Sequence, residues 1–325
     1  AAVTKHASTV RSQGRRDSCM RVSLLVVAMT AFADRLAALV TRRESQIVLG
    51  LDPDPLRLWA VAEPAFAGEG TPSERTARAV SAHCLALIAA AGPACVAVKP
   101  QLACFERLGA PGIAALGDVV AAGREAGLMV IADGKRGDVP VSAAAYAQAL
   151  AGVTPGPAGE IQGLGADAFT ASPLLGIDAL EPLIATGAGV FVLVRTSNPG
   201  AADLQDLELA GGEALWERIA RIVDDLGVAR DCGLADVGAV FGATAAEHLS
   251  RARELMPRAI FLLPGVGAQG GRVEDLAPAF APGPAGGLVT ASRSIADAHA
   301  ANGRGAAEAA RAEAERLREV AWSLA

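Results

Sequence analysis

The 325-residue sequence is poor in aromatic side chains, which make up 4% of it and include one tyrosine. Its core must therefore be assembled from alanine, glycine and short aliphatics, which suits a repetitive α/β frame. Basic residues are not in excess. The net charge of −6 argues against nucleic acid as the main partner. No run reads as the ~18 apolar residues of a membrane span, so no membrane association is expected. The five cysteines (Cys19, Cys84, Cys95, Cys104 and Cys232) form no Cys-x-x-Cys pair and show no metal-ligand spacing. They read as reduced thiols of a cytoplasmic protein.

The first 28 residues differ from the rest. Five basic residues against Asp17 make this segment net +4, leaving −10 for the remainder. "VSLLVVAM" behind the arginines resembles the apolar segment of a signal peptide, and "AFA" a cleavage site. The run is only eight residues, however, and "MTAFADRLAALV" from Met29 reads as a natural beginning followed by an amphipathic helix. The expectation is a disordered extension over 1–28 and one catalytic domain over 29–325.

Eight apolar, β-rich runs end in glycine, proline or polar residues: 47–53, 95–101, 128–135, 168–173, 190–197, 237–244, 259–266 and 287–294. Helical stretches lie between them, at 73–91, 111–126, 212–226 and 245–256, the first with Thr71 or Ser73 as its cap. None of the runs alternates cleanly between apolar and polar, so the strands are covered on their outer face and parallel. A closed (β/α)8 TIM barrel is the economical reading, and an open doubly wound sheet the alternative. The first strand ends "GLDPDP" and lacks the glycine-rich dinucleotide fingerprint, which weakens the open sheet. The Gly/Pro-rich stretch 151–165 reads as a surface loop within the one domain.

In a barrel the chemistry sits at the carboxyl ends of the strands. Here those ends carry Asp52, Lys99, Asp133 with Lys135, Thr170 with Ser172, Arg195 with Asn198, and Thr244. "LPGVGAQGGR" and "TASRSI" close the last two strands, where glycine amides and the Arg293 fork suit a phosphate and Gln269 could close over it. Residues i and i+2 of a strand share a face, so Asp133 and Lys135 share the pocket. Asp138 lies beyond the strand, within reach of a neighbouring subunit. Salt-bridged strand ends and a Mg²⁺ site are the other readings of this cluster. A lysine between the acids already neutralises one of them, which makes a metal less necessary.

"DGKRGD", preceded by "VKPQ" and followed by "VRTSNPGA", "PGVGAQGG" and "SRSI", resembles the orotidine 5′-phosphate decarboxylase family, in its bacterial type-2 branch. The resemblance runs from about residue 33 to the C-terminus. It implies decarboxylation of orotidine 5′-phosphate to UMP and CO₂, with no metal and no cofactor. It also implies a Lys99-Asp133-Lys135-Asp138 array, with Lys135 donating a proton to C6 and Asp138 given across a homodimer interface. Asp52 and Lys99 would bind ribose hydroxyls. Ser142 matches a position four residues after the interface aspartate, Ser172 a pyrimidine contact, and Gln269 and Arg293 phosphate ligands. The branch often carries Asn in an "NP" pair where this chain has "SP" at Ser172. Three rivals remain: a Mg²⁺-dependent sugar-phosphate decarboxylase on the same scaffold, a non-catalytic phosphate-ligand barrel, and a Schiff-base aldolase. The flanking acids count against the last by keeping Lys135 protonated.

Overall fold

Alternation along the first strand already sorts two cores. In β1 (Ile47–Leu51), Ile47, Leu49 and Leu51 pack outward against helices, while Val48 points into the barrel interior. The same period of two governs β2 (Ala97–Pro100), β3 (Met129–Arg136), β4 (Ala168–Ala171), β5 (Gly189–Arg195), β6 (Ala235–Phe241), β7 (Ala259–Leu263) and β8 (Gly287–Ala291). In the computed structural model these eight strands pair in parallel and in chain order, and β8 closes on β1. The structure describes residues 30–302 and 305–325. The expected extension over 1–28, its signal-peptide-like run and Met29 lie outside them.

The fold is therefore the expected (β/α)8 barrel, formed within the compact unit Phe32–Ala325. Helices occupy Pro72–Ala91, Ala110–Glu125 and Leu215–Leu226, close to the expected bounds. Thr71 is the cap of the first. Its hydroxyl accepts from the Glu74 amide, and the Glu74 carboxylate accepts from the Thr71 amide in return. The stretch expected as one helix over 245–256 is instead a 3-10 turn, Ala243–His248, followed by the helix Leu249–Leu255. The 151–165 excursion is more than a loop, because Val153–Thr154 and Ile161–Gln162 pair as an antiparallel ribbon. The segment Pro72–Ala94 is long and apolar enough, by length and composition, to cross a membrane, contrary to the sequence reading. Here its apolar side is spent on the outer core, through Val80, Leu87 and Ile88 among others.

The amino end of the barrel is plugged. The helix Phe32–Arg43 lays Phe32, Leu36, Leu39 and Val40 against Met129, Ile131 and Phe191 of the interior. Phe32 meets Phe191 edge to face at 5.9 Å, and a side chain at Gly189 would overlap the Phe32 ring. Inward positions change character toward the other end: Ala97 is followed by Lys99, Ile131 by Asp133, Ala168 by Thr170 and Leu288 by Thr290. The fold thus seals one end of the barrel, with Asp236 accepting from the Ala33 amide and Asp167 pairing with Arg35 beside the apolar plug, and leaves the other polar and open.

One buried cation lies outside that polar end. Arg253 donates to the carbonyls of Met256, Ala259, Ala279 and Gly286 at 2.7–3.0 Å, and its guanidinium lies 3.8 Å from the centre of the Phe261 ring. Burial pushes its pKa down to about 10, so it stays charged at neutral pH. Arg253→Met keeps the apolar stem but orphans these carbonyls, which should cost roughly 3–5 kcal/mol. The expected result is a Tm about 5–10 °C lower, with kcat/KM unchanged below the transition. Calorimetry and a steady-state assay would check both.

Candidate active site

The carboxyl end opens into a cavity of about 440 Å³, within the ~300–1,000 Å³ usual for small-molecule sites. Asp52, Lys99, Asp133, Lys135, Gln269 and Arg293, all picked from the sequence, line it together. They come from β2, from β3, and from the loops that follow β1, β7 and β8.

Asp133 is the centre of the cluster. Its Oδ2 accepts from Lys99 Nζ at 2.5 Å and its Oδ1 from Lys135 Nζ at 2.6 Å. The Thr170 hydroxyl adds a bond to Oδ1 at 2.9 Å, and Gln101 Nε2 lies 3.3 Å from Oδ2. Lys99 and Asp133 are each only 5% exposed, whereas the Lys135 side chain is 42% exposed and reaches into the cavity. Burial pushes the Asp133 carboxyl up, but Lys99 and Lys135 together outweigh it and hold the pKa down to about 2. For Lys99, burial works toward a lower pKa, and Asp133 and Asp52 reverse it to a net rise.

Lys135 enters the pocket by a route that strand alternation does not describe. The β3–β4 register shifts between Ala132 and Arg136, and Lys135 has φ 47°, in the left-handed region. Such a conformation costs a non-glycine residue about 1–3 kcal/mol. The Lys135 amide donates to Thr170 Oγ1 at 2.8 Å, so the hydroxyl that holds Asp133 also holds this bulge. Arg136 turns away, ion-paired with Glu106 and lying 5.2 Å from the centre of the Tyr146 ring.

Gly265, Gly267 and Gly270 all have positive φ and curl the loop after β7. Gln269, at its tip, accepts from the Ser197 hydroxyl at 2.7 Å. Arg293 opens a one-turn helix, Arg293–Ala296, and among the described residues no hydrogen bond or ion pair engages its guanidinium. A methyl group at Gly50 would overlap the Ser292 hydroxyl beside it, so β1 needs glycine there.

Three expected residues do not line this cavity. Asp138 is half-buried past the end of β3, with its Oδ1 accepting from the Val139 amide. Ser142 lies on the helix Pro140–Leu150, and Ser172 packs beside Gly137. Several lining residues went unassigned in the sequence reading: Gln101, Thr196, Ser197, Asn198, Gln205, Thr290 and Ser292. Inward parity pointed to Gln101 and Ser292, each two residues beyond an inward neighbour. Gln205 carried no such signal, because it returns to the pocket from a loop. Arg195 stays outside the cavity and pairs with Asp206.

Among the described residues no group of three or more His, Cys, Asp or Glu is placed to hold a metal ion. Both Asp133 oxygens already accept from ammonium groups. The array sets cations in place and leaves one of them, Lys135, open to a ligand.

The pH dependence follows from Asp133. Its folded pKa lies below the ~3.9 of an unfolded aspartate, so its contribution is complete above about pH 4 and is lost as pH falls through about 2. The shift corresponds to stability on the order of 2 kcal/mol. Denaturant unfolding from pH 6 to pH 2 should show this loss. Asp133→Asn should lack that step and be destabilised throughout, because Lys99 then stays buried without its main partner. A wild-type stability flat from pH 4 to 2 would contradict the assignment.

A profile of the orotidine 5′-phosphate decarboxylase / HUMPS family matches residues 45–310. The chain is 41% identical over 281 residues to the orotidine 5′-phosphate decarboxylase of Rhodopirellula baltica, spanning 83% of this chain and 90% of that one. It is 40% identical over 290 residues to the Deinococcus radiodurans enzyme of the same name, spanning 88% and 96%. The solved OMP decarboxylase of Leishmania donovani aligns with a TM-score of 0.66 at 30% identity, over 90% of this chain and 99% of that one. With the barrel, the lysine–aspartate array and these matches in agreement, the chain belongs to the orotidine 5′-phosphate decarboxylase / HUMPS family.

Proposed function

We propose that the protein decarboxylates orotidine 5′-phosphate to UMP and CO₂, the last step of UMP synthesis, directly and without a metal, with Lys135 as the proton donor. The observation that carries this reading is a lysine whose Nζ is held 2.6 Å from a buried aspartate and is open to a cavity of nucleotide size. The relatives' shared name supports this substrate over a sugar phosphate.

The C6–carboxylate bond breaks heterolytically, CO₂ leaves, and the electron pair stays on C6 as a carbanion in the ring plane. No adjacent carbonyl delocalises that pair well. The Lys135 ammonium faces the developing charge and then gives C6 its proton, after which the amine is reprotonated from solvent. Asp133 keeps both lysines charged and aimed. Asp52 and Lys99 bind the ribose, and Gln269 and Arg293 bind the phosphate.

The working form is a homodimer in which Asp138 serves the partner's pocket. Support comes from its absence from its own cavity and from exposed apolar side chains nearby, Val141 at 85% in the first turn of the helix Pro140–Leu150 and Leu174 at 62% in the loop after β4. Ser142, one turn along the helix after Asp138, would reach the same interface. A cytoplasmic setting is supported by the free thiols of Cys84, Cys95, Cys104 and Cys232.

Four experiments test the reading. Adding orotidine 5′-phosphate to wild type should lower its absorbance, and the reaction should survive a chelator. Lys135→Ala should lose roughly four or more orders of magnitude in turnover; a variant keeping a tenth of it would eliminate Lys135 as the donor. Arg293→Ala should weaken use of the phosphorylated substrate strongly and barely change that of orotidine, whereas equal losses would refute a phosphate role. For the dimer, Lys135→Ala and Asp138→Ala subunits, each nearly inactive alone, should recover about a quarter of wild-type activity when mixed with exchange. About half the dimers are then mixed, each with one intact pocket of two. Heterodimers without recovery would sink the shared site.

A further inference from the structure

The roles above leave one motif unused, Arg195-Thr196-Ser197-Asn198. We propose that Arg195 and Asp206 form a clasp that positions the wall of the pocket facing the pyrimidine, a reading that rests on the function proposed above.

Arg195 ends β5 and its side chain is 13% exposed. Its Nε and Nη2 donate to Asp206 Oδ1 and Oδ2 at 2.8 and 2.9 Å, and its Nη1 donates to the Thr196 carbonyl at 2.7 Å. This fork closes the neck of the segment between residues 195 and 206. Inside the neck, Gln205 Oε1 accepts from the Thr196 amide at 2.8 Å, and Gln205 Nε2 donates to Thr196 Oγ1 at 3.0 Å. Thr196 Oγ1 lies 2.7 Å from Asn198 Oδ1. Thr196, Ser197, Asn198 and Gln205 all line the cavity, while Arg195 and Asp206 do not. The clasp acts through these four.

Strand order says what the wall faces. Gln269 and Arg293 follow β7 and β8, Asp52 follows β1, and Lys99 and Lys135 lie on β2 and β3, so the phosphate, ribose and C6 positions run from β7 round to β3. The segment after β5 lies between the two ends of that arc, two strands from β7 and two from β3, and meets the phosphate loop through the Ser197 hydroxyl, which donates to Gln269 at 2.7 Å. The ring edge remote from the ribose points there. An exposed ion pair adds little, but a bidentate fork at a loop neck limits how many conformations the loop visits. Without it only a fraction of molecules carry a competent wall, and apparent affinity falls by that fraction. Lysine at 195 keeps the charge and loses the fork.

The test measures UMP and ribose 5-phosphate binding by calorimetry, and kcat and KM for orotidine 5′-phosphate, in wild type, Arg195→Lys and Asp206→Asn. The expected result is UMP affinity lower by about tenfold or more in both variants. Ribose 5-phosphate affinity should fall by clearly less, since only the Ser197–Gln269 bond ties the wall to the phosphate loop, and KM should rise by more than kcat falls. Unchanged UMP binding overturns the clasp, and so does an equal loss for both ligands, which is what general loosening of the barrel would give. Asp206 is the more exposed partner, so if Arg195→Lys does not fold, Asp206→Asn alone decides the question. A wild type inert toward orotidine 5′-phosphate would sink the decarboxylase reading; an active wild type matched by its variants would sink only the clasp.

Discussion

A buried carboxylate shared by two lysines is the constraint around which the rest of the site is arranged. Isolated, Asp133 or Lys99 would lose several kcal/mol on leaving water. Together, with Thr170 and Gln101 filling the remaining acceptor directions, they remain ionised in a barrel interior that is otherwise largely apolar. Because Asp133 and Lys99 cannot move apart without exposing an unpaired buried charge, they fix the position from which Lys135 is suspended. The strained backbone of Lys135 fits this arrangement. A left-handed lysine persists only where its surroundings over-determine it, and here Thr170 bonds both its amide and the carboxylate it faces.

Stability and chemistry are separated along the barrel axis. The amino end is closed by the helix Phe32–Arg43 and its aliphatic and aromatic contacts, and Arg253 ties the segments around Phe261 through backbone carbonyls. Those interactions hold the strands in register without any polar group of the pocket. The carboxyl end can therefore carry a strained residue, positive-φ glycines and an arginine with no partner among the described residues at little risk to the fold.

Much of this was legible in the sequence because it follows period two. The eight strands, the inward Lys99 and Asp133 and the charged strand ends are all consequences of alternation and of where each apolar run stops. What alternation cannot encode was missed. The bulge brings Lys135 to the right pocket, but by a register shift and a positive φ and not by the simple i, i+2 rule that predicted it. Gln205 reaches the cavity from a loop whose neck is bridged by Arg195 and Asp206, a pairing eleven residues apart with no local signature. Pro72–Ala94 shows the opposite error, a segment whose apolar character was under-read because alanine carries so much of it.

The proposed chemistry can be weighed against the electrostatics. Asp133 could act by repelling the substrate carboxylate. Two like charges about 4 Å apart cost roughly 4 kcal/mol at an effective dielectric near 20. Enzymes commonly lower barriers by ~8–23 kcal/mol, so repulsion supplies a fraction, and Asp133 is itself largely neutralised by two ammonium groups. An ammonium already charged and aimed before the bond breaks needs no reorganisation as the carbanion forms, and this is where electrostatic catalysis is strongest. Within one chain, Lys99, Asp133 and Lys135 sum to a single positive charge facing an anionic substrate. If Asp138 is shared as proposed, the partner's carboxylate cancels that charge. The array then becomes neutral overall with its dipoles fixed, which favours charge that develops on C6 over charge already present on the bound carboxylate.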